Sequence, residues 1–257
     1  MWRRSRFPVL LAFVNPVIGA PSPAAQDPDA FAAEPGDLVV LLHGLGLRGW
    51  AMSRIAGALR REGYRVVNLT YASRRVPLEE LGGTWLPEQL RTHGADEARR
   101  VHFVTHSMGG IVVRVWLDRR PAPANLGRVV MLAPPNAGSA VVDRLQAFPP
   151  FHWIMTVNGA RLGTGPESVP RSLGPWPEAA GELGIIAGDR TLNPLFHAWL
   201  DGPNDGKVSV ASARLGGARD FIVLHHSHTW LQWRRDTVRQ VAVFLRTGRF
   251  QAADAPP

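Results

Sequence analysis

The sequence predicts an α/β protein: a doubly wound, mainly parallel sheet of about six strands, flanked by helices and carrying a short cap-like insertion. Two observations predict it. Short runs that are apolar at every position recur along the chain, as in "DLVVLLHG" and "GELGIIAG". Strands buried on both faces read this way. Between these runs lie longer segments whose apolar residues keep helical spacing, as in "WAMSRIAGALRREG". No internal repeat replaces the alternation.

In chain order, residues 37–44 read as the first strand, a continuous apolar run that ends in glycine. Residues 50–63 have helical spacing and a glycine stop, and 64–71 supply a second strand. Residues 77–94 predict a helix broken near Gly82–Gly83 or at Pro87, since both residue types interrupt helices. A third strand (100–106) leads into a helix at 108–120. Residues 127–135, 181–188 and 219–225 supply three more strands, and 229–248 closes the chain as an amphipathic helix. The stretch at about 145–177 breaks the rhythm and is rich in Pro, Gly, Trp and Phe. Loops of that length in compact domains are usually functional or disordered, and this one is read as the cap-like insertion.

The length of 257 residues suits a single core, and the composition, 45% hydrophobic and 19% charged, is that of a globular chain. Residues 27–257 are read as one domain. The net charge of +8 is carried by arginine, with Lys207 the only lysine. The arginines are scattered in ones and twos, an arrangement that argues against a nucleic-acid partner. Arginine bias in composition, or attraction to an anionic envelope or membrane surface, accounts for the charge. Residues 1–26 read as a signal peptide or disordered leader: three arginines, an uncharged apolar run over 7–20, then small residues. The run is short for a spanning helix. Export to the periplasm or medium is the expectation, with a cytoplasmic or N-terminally anchored protein as the alternative. With no cysteine, an exported form relies on its core alone.

"FVTHSMGGIV" (residues 103–112) places Ser107 between the third strand and the helix after it. In an α/β sheet, chemistry sits beyond the carboxyl ends of the strands. The stretch is close to the nucleophile elbow G-x-S-x-G, with Thr105 where the first glycine belongs. The strand-to-helix turn is tight, so residues two before and two after the serine approach each other. Gly109, with Gly110 behind it, leaves room for a small residue such as Thr105. A plain serine N-cap is the other reading of Ser107, although it leaves the two glycines without a purpose. "LLHGLGLRGW" (41–50) follows the first strand. In this architecture an amide of that loop and the amide after the serine bind an oxyanion, which makes the N–H groups of Leu45 and Met108 the candidates. An ordinary strand-ending turn is the other reading of the loop.

Taken in order, "LLHGLG", "THSMGG", "NDGKVSV" and "HSHTWL" resemble the lipase and esterase branch of the α/β-hydrolase superfamily, over residues 37–246. The resemblance implies a serine nucleophile, Ser107, and a base that follows the last strand. Nine histidines compete for that role. His43 and His106 lie in motifs where the family's histidines shape the site. His93, His102, His152 and His197 have no motif support. His225, His226 and His228 cluster after the last strand, and "SHT" selects His228. A metal-binding histidine tract is the alternative, although no matching ligand spacing accompanies it. The acid should lie between serine and histidine in the chain. The Asp-Gly signature selects Asp205; Asp189, at the end of "GIIAG", is the rival, unless it simply pairs with Arg190.

The resemblance thus implies hydrolysis of carboxylic esters, with lipophilic acyl groups suggested by the apolar insertion. The substrate would be a small-molecule or lipid ester, and no metal or organic cofactor is called for. Amide or thioester hydrolysis, acyl transfer, and a binding protein on the same scaffold remain open.

Overall fold

The structure, a computed structural model, describes residues 36–146 and 157–251. The predicted leader and residues 147–156 of the predicted insertion lie outside them. All six predicted strands form: β1 (Asp37–Leu42), β2 (Arg65–Leu69), β3 (Arg100–His106), β4 (Leu126–Leu132), β5 (Leu183–Gly188) and β6 (Asp220–Leu224). They make one sheet in the order β2-β1-β3-β4-β5-β6, parallel at every pairing. The helices are α1 (Ser53–Arg61), α2 (Leu78–Glu80), α3 (Leu86–Thr92), α4 (Met108–Arg119), α5 (Ala140–Gln146), α6 (Val169–Ser172), α7 (Pro194–Ala198), α8 (Val210–Ala213) and α9 (Arg235–Thr247). Among the described residues, no helix is long and apolar enough to cross a membrane.

Strand alternation divides the core in two. Leu38, Val40, Leu42, Phe103, Val129, Met131 and Ile185 face one side, against Leu78, Leu86 and the buried face of α4. Val39, Leu41, Val104, Val130, Leu132 and Ile186 face the other, against Ile55 and Leu59 of α1 and Val241, Phe244 and Leu245 of α9. A period of two sends successive side chains to opposite faces, so a strand clothed on both sides must be apolar throughout.

Two helices differ from expectation. Between α2 and α3 the chain does not break at Gly82–Gly83; it widens into a π turn over Leu81–Trp85. A Cβ on Gly82 would lie 2.6 Å from Val115 Cγ1 and 2.8 Å from the Val112 carbonyl. The glycine therefore serves close approach to α4, and the π turn keeps the segment helical while adjusting its register. At the C-terminus, the predicted helix at 229–248 is a 3₁₀ turn (Leu231–Trp233) followed by α9, separated by the extended Arg234.

The insertion is tied down by buried polar groups. Asn158 accepts from the Leu78 amide and donates to the Ser73 and Val76 carbonyls, at 2.9, 2.9 and 2.6 Å. Ser73 Oγ in turn accepts from the Gly46 amide at 3.0 Å, so the insertion and the loop after β1 share one anchor. The buried Arg114 of α4 donates to the Leu173 and Gly174 carbonyls at 3.0 and 3.1 Å.

Candidate active site

Ser107 follows β3 directly and has φ 53° and ψ −122°. Among non-glycine residues this conformation is rare and costs roughly 1–3 kcal/mol. The surroundings enforce it. The Ser107 amide donates to the Leu132 carbonyl of β4 at 2.8 Å, and the Gly110 amide donates to the Ser107 carbonyl at 3.0 Å. Ser107 holds the N-cap position of α4, but its side chain makes no capping bond, which removes the N-cap reading.

The glycines act differently from the sequence argument. A Cβ on Gly109 would lie 2.7 Å from the Leu42 carbonyl and 3.0 Å from that of His43, so Gly109 serves contact with the end of β1. Gly110 is the residue facing Thr105: a Cβ there would lie 3.3 Å from Thr105 Oγ1. Thr105 fits because the second glycine, rather than the first, makes the room.

The Ser107 hydroxyl lies 3.0 Å from His228 Nε2, and His228 Nδ1 lies 2.8 Å from Asp205 Oδ2. An ionised carboxylate only accepts, so Nδ1 carries the proton and Nε2 is left to accept from the serine. Asp205 is held firmly. Its Oδ1 accepts from the Lys207 and Val208 amides at 2.9 and 2.8 Å, and its carbonyl accepts from the His228 amide at 3.0 Å. Gly206 has φ +91°, which suits the Asp-Gly turn. Gly188, ending β5, is required as well: a Cβ would lie 2.3 Å from the His226 carbonyl and 2.9 Å from Asp205 Cβ.

The histidine cluster separates cleanly. His225 Nδ1 lies 2.9 Å from Asp189 Oδ1, and His226 Nε2 lies 2.6 Å from Asp236 Oδ2. Each of the three histidines thus has its own aspartate, and Asp189 partners His225. Among the described residues no group of three His, Asp or Glu could hold a metal. His43 stacks on Tyr71 with centroids 4.2 Å apart and accepts from the Tyr71 amide at 3.2 Å; burial lowers its pKa. His106 donates through Nε2 to the His228 carbonyl at 3.1 Å, and burial holds its pKa well below the usual histidine value. Both rings are neutral props.

This geometry sits within a recognised sequence pattern. The profile of the alpha/beta hydrolase family matches residues 39–255. The chain belongs to that family. No curated protein matches the sequence. Among solved structures, the mature lipase BlEst2 of Bacillus licheniformis is 21% identical, with a TM-score of 0.61 over 76% of this chain and 86% of that one. A metagenomic carboxyl esterase is 18% identical, with a TM-score of 0.60 over 84% of this chain and 71% of that one. Phospholipase PlaB of Legionella pneumophila is 19% identical, with a TM-score of 0.56 over 70% of this chain but only 45% of that one. At these identities the likeness is one of fold.

In this member of the alpha/beta hydrolase family, Ser107 and His228 open onto a cavity of about 620 Å³. Leu45, Leu47, Val141, Val142, Leu145, Leu162 and Phe196 line it, and Trp50, Trp230 and Trp233 stand around it. Leu45 belongs to the loop after β1. Met108 is the first residue of α4, where no preceding helical carbonyl takes its amide. Sequence reading missed the tryptophans and the two cations of the wall, Arg74 and Lys207. For Lys207 a signal existed: it is the only lysine and lies two residues after Asp205.

Proposed function

We propose that this chain is a serine hydrolase of carboxylic esters with lipophilic acyl groups. The observation that carries the reading is the hydrogen-bonded series from Asp205 through His228 to Ser107, at 2.8 and 3.0 Å, ending at a strained serine on an apolar cavity. A serine hydroxyl needs an adjacent base to attack a carbonyl. His228 Nε2 takes its proton as Oγ bonds to the ester carbon, and Asp205 stabilises the imidazolium that forms. The tetrahedral oxyanion is received by the Leu45 and Met108 amides. Collapse expels the alcohol, which takes the proton from His228 and leaves an acyl-Ser107. Water then attacks that ester, giving its proton to His228, and the acid departs as Ser107 regains its own.

The apolar lining from α5 and the insertion supports a lipophilic acyl group, since a preformed apolar cavity favours such a chain. The test is covalent labelling by a fluorophosphonate probe together with turnover over a chain-length series of p-nitrophenyl esters. The expected result is one label on Ser107, abolished in Ser107→Ala, and turnover that falls by roughly 10⁴ or more in that variant. Near wild-type turnover by a folded Ser107→Ala protein refutes the mechanism.

A further inference from the structure

Two cations, Arg74 and Lys207, stand on the wall of the cavity, and no aspartate or glutamate is among its described lining residues. Lys207 is the more telling of the two. It lies in the turn that builds the site: its amide donates to Asp205 Oδ1 at 2.9 Å, and its carbonyl accepts from Ser139 Oγ at 2.6 Å. The backbone is thereby fixed on both sides, and the residue borders the same cavity as Ser107 and His228.

No carboxylate among the described residues pairs with this ammonium. The Asp205 carboxylate is near enough to act on it, but its oxygens are already taken by two amides and His228. The residue is exposed, and the protein around it still desolvates the ammonium enough to lower its pKa, with Asp205 opposing the shift. Its charge also acts on the buried His106 ring. A cation at the edge of an apolar cavity, with no carboxylate on the described wall and no ion pair of its own, is placed to attract an anion brought by a ligand.

We propose that Lys207 forms an anion-binding subsite in the cavity, so that the preferred substrates are amphiphilic esters carrying a carboxylate, sulfonate or phosphate in the same molecule. This rests on the serine-hydrolase reading and narrows its substrate class. The apolar walls take the chain, and the ammonium fixes the charged group relative to Ser107. The arrangement gives specificity by charge placement within an otherwise apolar site.

Two matched ester pairs test it. One places the charge on the acyl side: p-nitrophenyl hexanoate against the mono-p-nitrophenyl ester of adipate. The other places it on the alcohol side: phenyl hexanoate against 4-sulfophenyl hexanoate. Intrinsic reactivity cancels when the anionic-to-neutral ratio of kcat/KM is compared between variants. Lys207→Gln should lower that ratio in at least one pair, on the order of tenfold, and Lys207→Glu should lower it further. Lys207→Arg should retain most of it. A ratio unmoved by Lys207→Gln in both pairs, in protein that still turns over the neutral esters, overturns the proposal. If no ester is turned over and no probe labels Ser107, the hydrolase reading fails instead. Binding then judges the subsite alone. In Ser107→Ala protein, decanoate should bind more tightly than decanol by tryptophan fluorescence, and adding Lys207→Gln should abolish the difference. Equal binding before that change overturns the subsite as well.

Discussion

Two buried histidines stand beside aspartates at opposite ends of the sheet. His228 and Asp205 lie beyond the carboxyl ends of the strands; His102 and Asp37 lie near the amino ends of β3 and β1. Their burial is the same, with all four residues at most 5% exposed. What differs is where the ring nitrogens go. His102 Nδ1 accepts from the Arg128 amide at 2.8 Å, and its Nε2 faces Asp37, 3.6 Å away. Asp37 is itself held by Arg99 at 2.8 Å, and Gly127 closes over the ring, where a Cβ would come within 2.6 Å. Both nitrogens face protein groups, and the ring is buried. His228 spends only Nδ1 on its aspartate and keeps Nε2 for Ser107 and the cavity. A His–Asp pair therefore reads as a reactive site when one nitrogen is left toward a nucleophile and a substrate-sized space, and as scaffold when it is not.

The largest expected effect comes from breaking the carboxyl-end pair. Asp205→Asn keeps an oxygen for the Lys207 and Val208 amides but offers His228 Nδ1 an N–H, which favours the tautomer with its proton on Nε2, toward Ser107. Turnover should fall by about 10⁴, as in the protease case where the same exchange has been made. Melting temperature should change little. A folded Asp205→Asn protein with near wild-type turnover on p-nitrophenyl esters would remove His228–Asp205 from the mechanism.

Breaking the amino-end pair should leave chemistry intact and alter stability. Desolvation, opposed by Asp37, lowers the His102 pKa from 6.5 to about 4. Because the folded value lies below the unfolded one, the unfolded chain takes up the proton first. Stability is full above about pH 6.5, falls as pH drops toward 4, and levels off below it, a loss on the order of 3 kcal/mol. His102→Asn keeps an acceptor for the Arg128 amide and removes the titration. The measurement is denaturant unfolding from pH 7.5 to 4. His43 and His106 titrate in both proteins, so the difference isolates His102. Parallel pH profiles for the two proteins would contradict the assignment.

The contrast also explains what sequence made legible. The inner strands were readable because burial on both faces writes a nearly unbroken apolar run, as in β1 and β5, while the half-buried edge strands β2 and β6 were readable from shorter apolar runs; parallel pairing follows from the intervening helices. Ser107 and His228 were readable because they follow β3 and β6 closely and carry local signatures, whereas Asp205, in the loop between α7 and α8, was readable from its Asp-Gly signature alone. The interruption at Arg234 was not readable, since the apolar pattern continues across an extended residue. The π turn at Gly82–Gly83 was not readable either: Gly82 is needed for close approach to Val112 and Val115, residues of another helix. The cavity wall was the least visible part. Trp50, Lys207 and the pair Trp230 and Trp233 come together from three separate stretches of chain, and no local pattern marks a residue by the space that it borders.

The elbow gives a smaller, paired effect. Gly109→Ala sets a Cβ against two backbone carbonyls that cannot move aside, whereas Gly110→Ala meets Met131 Sδ at 3.1 Å, Pro134 Cβ at 3.3 Å and Thr105 Oγ1 at 3.3 Å. Overpacking of the first kind costs about 1–3 kcal/mol, and the second should cost less because side chains can shift. Thr105→Gly should recover part of the Gly110→Ala loss and none of the Gly109→Ala loss. Equal rescue of both by Thr105→Gly, read from chemical denaturation, would show that the two glycines share one neighbour after all.

The smallest effect is expected at the third kind of His–Asp pair, on the surface. His225 and Asp189 are 2.9 Å apart, with side chains 74% and 32% exposed. The pair has nearly the distance of His228–Asp205, and its histidine lies three residues from His228 in the chain, so distance alone would rank the two alike. Solvent separates them. An exposed pair is screened and contributes within about 1 kcal/mol, and His225 adjoins neither Ser107 nor the cavity lining. Asp189→Asn should therefore shift the melting temperature slightly and leave kcat/KM on p-nitrophenyl esters within about threefold, a change of under 1 kcal/mol in transition-state stabilisation. Turnover of Asp189→Asn and Asp205→Asn is best measured side by side. If Asp189→Asn is inactive while folded and Asp205→Asn is active, the working acid belongs to the end of β5, His225 becomes the base to test, and the rule drawn from the two buried pairs does not hold for this protein.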